Sequence, residues 1–205
     1  EHAVAVVGAG PIGLTTALEL ARHGIRSVVL DDKTTVNDGS RAVCLARHSL
    51  ETLQQLGLHE VFTAKALGWT NGRSYYRGRQ VYQLEMPHSD DERFFPMYNL
   101  QQQYGEQYLV EAAMEHPLVD VRWGSAVTAV ANFDGGVAIT VASDAGTYAL
   151  RAQYCISADG ARSAVRKSLG LALHGDAYEG SYVIADVRMK SEFPTERRAF
   201  FDPQA

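Results

Sequence analysis

The sequence predicts an α/β fold, a parallel sheet interrupted by an antiparallel three-strand excursion, and three observations carry that prediction. The first is a strand–turn–helix–strand unit over Val4–Asp31. The second is a series of short alternating strands joined by tight turns, beginning at Val119 and running to Gln153. The third is a fresh apolar stretch, Tyr154–Ala158, that ends on Asp159-Gly160 and leads into a short helix.

The opening unit begins with a buried apolar run, Val4-Ala5-Val6-Val7, followed by Gly8-Ala9-Gly10-Pro11-Ile12-Gly13. Helical spacing then continues to about His23, and a second apolar strand, Ser27–Leu30, closes on Asp31. Each glycine has its own physical task. Gly8 permits the sharp turn, Gly10 lets a pyrophosphate approach the backbone, and Gly13 lets helix and strand pack closely. The helix directs unpaired amide donors and about half a positive charge at whatever sits over the turn. Asp31 is placed to accept hydrogen bonds from ribose hydroxyls. An ordinary glycine-rich turn is the alternative. The strand before, the helix after and the acid at this distance favour a dinucleotide site. The motif leaves NAD and FAD both open.

The bulk properties narrow the field. A chain of 205 residues holds one large domain or two small ones. A formal charge of −5 argues against nucleic acid or an anionic membrane as the main partner. No apolar run is long enough to span a bilayer, and no signal peptide with a charged start is present. Cys44 and Cys155 are far apart and form no CxxC, as expected of free thiols in a reducing cytoplasm. The seven histidines make no HxH or HxxxH pair, so no metal site is expected. Walker loops and GxSxG elbows are also missing.

After Asp31 the chain turns polar and then gives Gly39-Ser40-Arg41-Ala42-Val43. A plain NAD-binding unit would deliver a third apolar strand here, and none follows. Instead His48–Leu56 has helical spacing, with Gly57 as its stop. Trp69–Leu84 reads as two strands around Arg77-Gly78, and His88–Arg93 as a solvated charged loop. Helical spacing returns over Gly105–His116 through Leu109, Ala112 and Ala113, until Pro117 ends it. Strands are then expected at Val119–Trp123, Ala126–Ala131, Val137–Ala142, Tyr148–Gln153 and Tyr154–Ala158, with a helix from Ser163 to Leu169 and Gly170 beyond it.

Three separated segments resemble the FAD-dependent aromatic hydroxylases related to para-hydroxybenzoate hydroxylase. They are the GAGPIG turn with Asp31; Gly39-Ser40-Arg41-Ala42 followed by Gln102, seven residues before Leu109; and Tyr154 to Arg166, similar to the family's second fingerprint almost throughout. The wording around Asn99-Leu100-Gln101-Gln102 and from Glu196-Arg197-Arg198 to Phe201-Asp202-Pro203 is closest to 3-(3-hydroxyphenyl)propionate hydroxylase-like proteins. The resemblance implies a Rossmann-like FAD-binding domain over residues 1–170 and the beginning of a mixed-sheet substrate domain over 171–205, with strands at Tyr182–Met189 and Ala199–Phe201. It implies that Gly8, Gly10 and Gly13 sit under the FAD pyrophosphate and that Asp31 holds the adenosine ribose. Arg41 would lie near the pyrophosphate and flavin, Gln102 would bond the cofactor through its amide, and Asp159 would help bind FAD and dock NADH or NADPH. A loop cation, a polar helix start and a strand-ending Asp-Gly turn are the respective alternatives. Arg162 and Arg166 could equally serve as salt-bridge partners.

The implied activity is hydroxylation of a phenol-like ring with molecular oxygen, and a homo-oligomer is a possible assembly. No residue is singled out as a catalytic acid or base. The family's later Gly-Asp fingerprint is missing, so the chain is expected to be the amino-terminal part of an enzyme and inactive alone. Another flavin-fold oxidoreductase, such as a halogenase or reductase, and a non-catalytic dinucleotide-binding module are the competing functions. A plain NAD dehydrogenase would need a nearby third strand.

Overall fold

The computed structural model of the protein describes residues 2–37, 44–176, 178–183, 185, 187, 190 and 192–202. Its first elements are β1 (His2–Val7), α1 (Pro11–Arg22), β2 (Ser27–Leu30), β3 (Cys44–Ala46), α2 (Arg47–Gln55), α3 (His59–Lys65), β4 (Leu67–Trp69), β5 (Asn71–Tyr76), β6 (Arg79–Glu85) and β7 (Met97–Asn99). There follow α4 (Gln102–Glu115), β8 (Val119–Arg122), β9 (Ala126–Phe133), β10 (Gly136–Ser143), β11 (Gly146–Ser157), α5 (Ala164–Ser168) and β12 (Arg197–Phe201). The chain forms two compact units, Glu1–Asp38 with Gln103–Tyr182, and Gly39–Gln102 with Val183–Ala205.

The first unit is built on a six-stranded sheet in the order β8-β2-β1-β11-β10-β9. Its first four strands pair in parallel, and β11, β10 and β9 pair antiparallel. Both faces of β1 and β2 are buried, which is why Val4–Val7 and Ser27–Leu30 are near-continuous apolar runs rather than alternating ones. One face gathers Ala5, Val7, Val28, Leu30, Ile139, Val141 and Leu150 with Val165 of α5. On α1, Leu14, Ala17, Leu18 and Ala21 repeat at helical spacing and are all buried. The helix stops where Gly24, at φ +75°, donates to Ala21 and Ile25 donates to Leu20, a Schellman closure.

The expected strands Tyr148–Gln153 and Tyr154–Ala158 are one strand. No turn residue separates Gln153 from Tyr154, so the extended chain runs on through β11. Its first half pairs antiparallel with β10 as far as Ala152, and its second half pairs in parallel with β1, from Ala152 beside His2 to Ser157 beside Val7. The returning strand is therefore also the last strand of the antiparallel excursion.

The second unit holds two three-stranded sheets, β12-β5-β6 and β3-β7-β4. The β5–β6 hairpin turns at Arg77-Gly78, as expected. Glu196, just before β12, accepts from Arg198 Nε at 2.6 Å and lies 3.2 Å from Arg73 Nε on β5. The Arg73 N–H is not aimed at the carboxylate, so that contact is an ion pair without a hydrogen bond. Four short elements, α3, β3, β4 and β7, go beyond the sequence expectation, being too short for periodicity to register. The expected strand at Tyr182–Met189 does not form at its described residues, 182, 183, 185 and 187; its other positions lie outside the described residues. The charged loop is also more than solvated surface: Glu92 takes both Arg47 and His88.

Candidate dinucleotide site

The carboxyl ends of β1, β2 and β11 meet at the glycine turn. Gly8 N–H donates to Leu30 O at 2.7 Å, and Ala158 N–H donates to Val7 O at 2.8 Å, so the turn is stitched to both neighbouring strands. Gly8 adopts φ +104°, a conformation that suits glycine, and a Cβ there would stand 2.5 Å from Ala158 O. A Cβ on Gly13 would stand 1.9 Å from Gly8 O. Both glycines are therefore demanded by the protein's own backbone. Gly10 is different. Its φ of −81° and ψ of −177° are open to any residue, and a Cβ there would meet nothing within 4 Å. Nothing in the chain's own packing requires glycine at this position, and the space over it is open.

Gly10 is also the N-cap of α1 and offers no side-chain cap, with Pro11 as the first helical residue. The amides of the first turn point out of the helix without intrahelical acceptors. An open cradle, outward amides and the positive end of a helix dipole fit a pyrophosphate.

Asp31 sits beside this cradle, nearly buried. Its Oδ2 accepts from Ala9 N–H at 2.6 Å and its Oδ1 from Lys33 N–H at 2.9 Å. Ser125 N–H donates to the Asp31 carbonyl at 2.7 Å. The side chain thus clamps the glycine turn to the end of β2. Each oxygen of an ionised carboxylate can accept twice, so acceptor capacity remains for ribose hydroxyls.

Asp159 follows β11 and packs on the same turn, its Cα 3.0 Å from where a Gly8 Cβ would stand. Its Oδ1 accepts from the Ser157 hydroxyl at 2.6 Å and its Oδ2 from Val165 N–H at 3.1 Å. Burial pushes this carboxyl up, but hydrogen bonds from Ser157, Ser163 and the Val165 amide outweigh it and hold the group below the usual aspartate range. Ser163 caps α5 by accepting from Arg166 N–H at 2.9 Å, and the Arg166 side chain donates to Ala161 O rather than to a carboxylate. Burial, with the Asp159 charge behind it, pushes the nearby Cys155 thiol up to about 11.

The structure thus gathers Gly8, Gly10, Gly13, Asp31 and Asp159 around one turn. Gln102 is the first residue of α4, half-buried, in the second unit. Arg41 lies outside the described residues. One buried acid was absent from the sequence reading: Glu106, only 1% exposed, which binds Asn37. The signal for it is in the helical spacing, because Glu106 shares the buried stripe of α4 with Leu109, Val110 and Ala113.

Known proteins resemble this chain in sequence and fold. The family model described as FAD binding domain matches residues 1–201. The chain belongs to that family. It is 31% identical over 186 residues to para-nitrophenol 4-monooxygenase of Pseudomonas sp. strain WBC-3, covering 90% of this chain and 46% of that protein. It is 30% identical over 185 residues to the 3-(3-hydroxy-phenyl)propionate/3-hydroxycinnamic acid hydroxylase of Mycolicibacterium smegmatis, covering 90% and 33%. The crystal structure of p-nitrophenol 4-monooxygenase from Pseudomonas putida DLL-E4 superposes with a TM-score of 0.79 at 30% identity, over 86% of this chain and 45% of that one. The chain spans between a third and a half of the length of these relatives. FAD, the cofactor the sequence implied, is the one this family binds. Among the described residues no helix is long and apolar enough to cross a membrane.

Proposed function

We propose that this chain is the FAD-binding portion of a flavin-dependent monooxygenase that hydroxylates a phenolic or other small aromatic compound, using NADH or NADPH and molecular oxygen in the cytoplasm. The observation that carries the reading is the open space over Gly10 at the start of α1, where a glycine serves no contact of the protein's own. Relatives named as aromatic monooxygenases support the reaction class.

When bound, the flavin supplies the redox chemistry, and the protein supplies binding, orientation and exclusion of water. Gly8 and Gly13 hold the turn in shape, Gly10 admits the pyrophosphate, and the α1 amides face its charge. Asp31 orients the adenosine ribose. Arg41 is assigned to the pyrophosphate and flavin, where a planar guanidinium suits paired oxygens. Gln102 is assigned to the cofactor through its amide, and Asp159 to the docking of cofactor and reductant. Residues 1–170 form the cofactor domain in this reading, and residues 171–205 begin the substrate domain; a homo-oligomer is compatible with it.

Gly10→Ala tests the proposal, because the backbone accepts alanine there and only a ligand would meet the new methyl. The expected result is unchanged thermal stability with FAD affinity reduced at least tenfold, on the order of 1.4 kcal/mol. Unchanged FAD affinity in a folded variant would overturn the pyrophosphate assignment.

A further inference from the structure

A charged side chain on the buried stripe of a helix is costly unless donors fill its oxygens. Glu106 occupies such a position on α4, one turn beyond Gln102. Asn37 answers it with its backbone N–H to Oε2 at 3.0 Å and its side-chain amide to Oε1 and Oε2, both at 2.9 Å. Asn37 lies six residues beyond Asp31 in a stretch with no regular secondary structure. That stretch runs past the carboxyl end of β2, where ligands of open α/β sheets bind. Its near end is fixed by Lys33, whose N–H donates to Asp31 Oδ1 and whose carbonyl accepts from Gly124 N–H. Residues 32–35 are exposed, so little burial defines their path. Glu106 fixes the far end. Asn37 meets the carboxylate with two donor groups, its side-chain amide shared between both oxygens, so two acceptor oxygens suit the site and glutamine would turn an NH2 toward an amide donor.

We propose that Glu106 is a positioning residue for the cofactor site: through Asn37 it holds the segment following Asp31 in the path that the adenosine end of FAD needs. This rests on the FAD reading above and adds a residue to it that touches no cofactor atom. A buried acid retained on an apolar stripe breaks the local pattern, as expected where a site depends on it.

The test uses the protein at its natural length, with three readouts: FAD affinity of the apoprotein by fluorescence titration, thermal midpoint, and amide exchange over residues 33–37. Glu106→Gln is expected to speed exchange at Asn37 and to weaken FAD about tenfold. The exchanged pair Glu106→Gln with Asn37→Asp restores a donor opposite an acceptor and is expected to regain most of that affinity. Asn37→Ala, at a half-exposed position, carries the test if Glu106→Gln fails to fold, with a severalfold loss expected. A wild-type protein that binds no FAD refutes the cofactor reading itself. A wild type that binds FAD, beside folded Glu106→Gln or Asn37→Ala variants that bind it equally well, refutes the positioning role. An exchanged pair that recovers stability and slow exchange but not FAD affinity also refutes it.

Discussion

Removing the Asp31 carboxylate should have two separable consequences, because its oxygens serve the protein and, in our proposal, the cofactor. In Asp31→Ala the Ala9 N–H, now bonded at 2.6 Å within a residue that is 4% exposed, loses its acceptor. A buried donor left unsatisfied costs about 1–3 kcal/mol. The Lys33 N–H belongs to an exposed residue and can turn to water, so its loss adds little. Stability should therefore fall by about 1–3 kcal/mol, or roughly 2–4 °C in Tm for each kcal/mol at this chain length. The ribose contact, a charge-assisted hydrogen bond, is worth a further 1.5–3 kcal/mol or so, on the order of ten- to a hundredfold in FAD affinity. Calorimetry of the apoprotein measures the first quantity and flavin titration at a temperature well below Tm measures the second. Reduced stability with unchanged affinity would show that Asp31 only braces the glycine turn. Unchanged stability would show that the Ala9 contact carries no weight.

The remaining predictions concern titration, thiol reactivity and assembly. Because the folded Asp159 carboxyl lies below its ordinary value, its contribution is present above the unfolded pKa of about 3.9 and is lost as pH falls through the folded one. The gap in Tm between wild type and Asp159→Asn should accordingly be wide at pH 6 and close below about pH 4; a gap constant with pH refutes this. Cys155, held as the thiol until about pH 11, should react with iodoacetamide at pH 8 far more slowly than the exposed Cys44, and equal rates by mass spectrometry would contradict that. The β12-β5-β6 sheet exposes Val81, Tyr82, Phe200 and Phe201 and has β6 and β12 as its edges. The 205-residue chain should therefore self-associate. A monodisperse monomer in solution would overturn this.

The unit from β1 through the glycine turn and α1 to β2 was legible residue by residue, because its information is local. Apolar runs, helical spacing and three glycines each act within a few positions, and Asp31 ends the strand where the pattern puts it. Two of the glycines need their neighbours to explain them: it is Ala158 and Gly8 O, at contact distance, that exclude a side chain at Gly8 and Gly13, while the emptiness above Gly10 becomes visible only once those contacts are known. The continuity of β11 could not be read from alternation, since its two halves pair with strands more than a hundred residues apart in sequence, β1 in one direction and β10 in the other. Asp159 looked like a ligand residue or a turn residue, and the fold shows both oxygens engaged by Ser157 and Val165. Glu106 is not singled out by the sequence, because its partner Asn37 lies 69 positions away. Local sequence decides which segments are strands and helices and where a phosphate-sized turn falls. Which polar groups are buried together is a property of chain segments far apart, and only the closed sheet brings them within hydrogen-bonding distance.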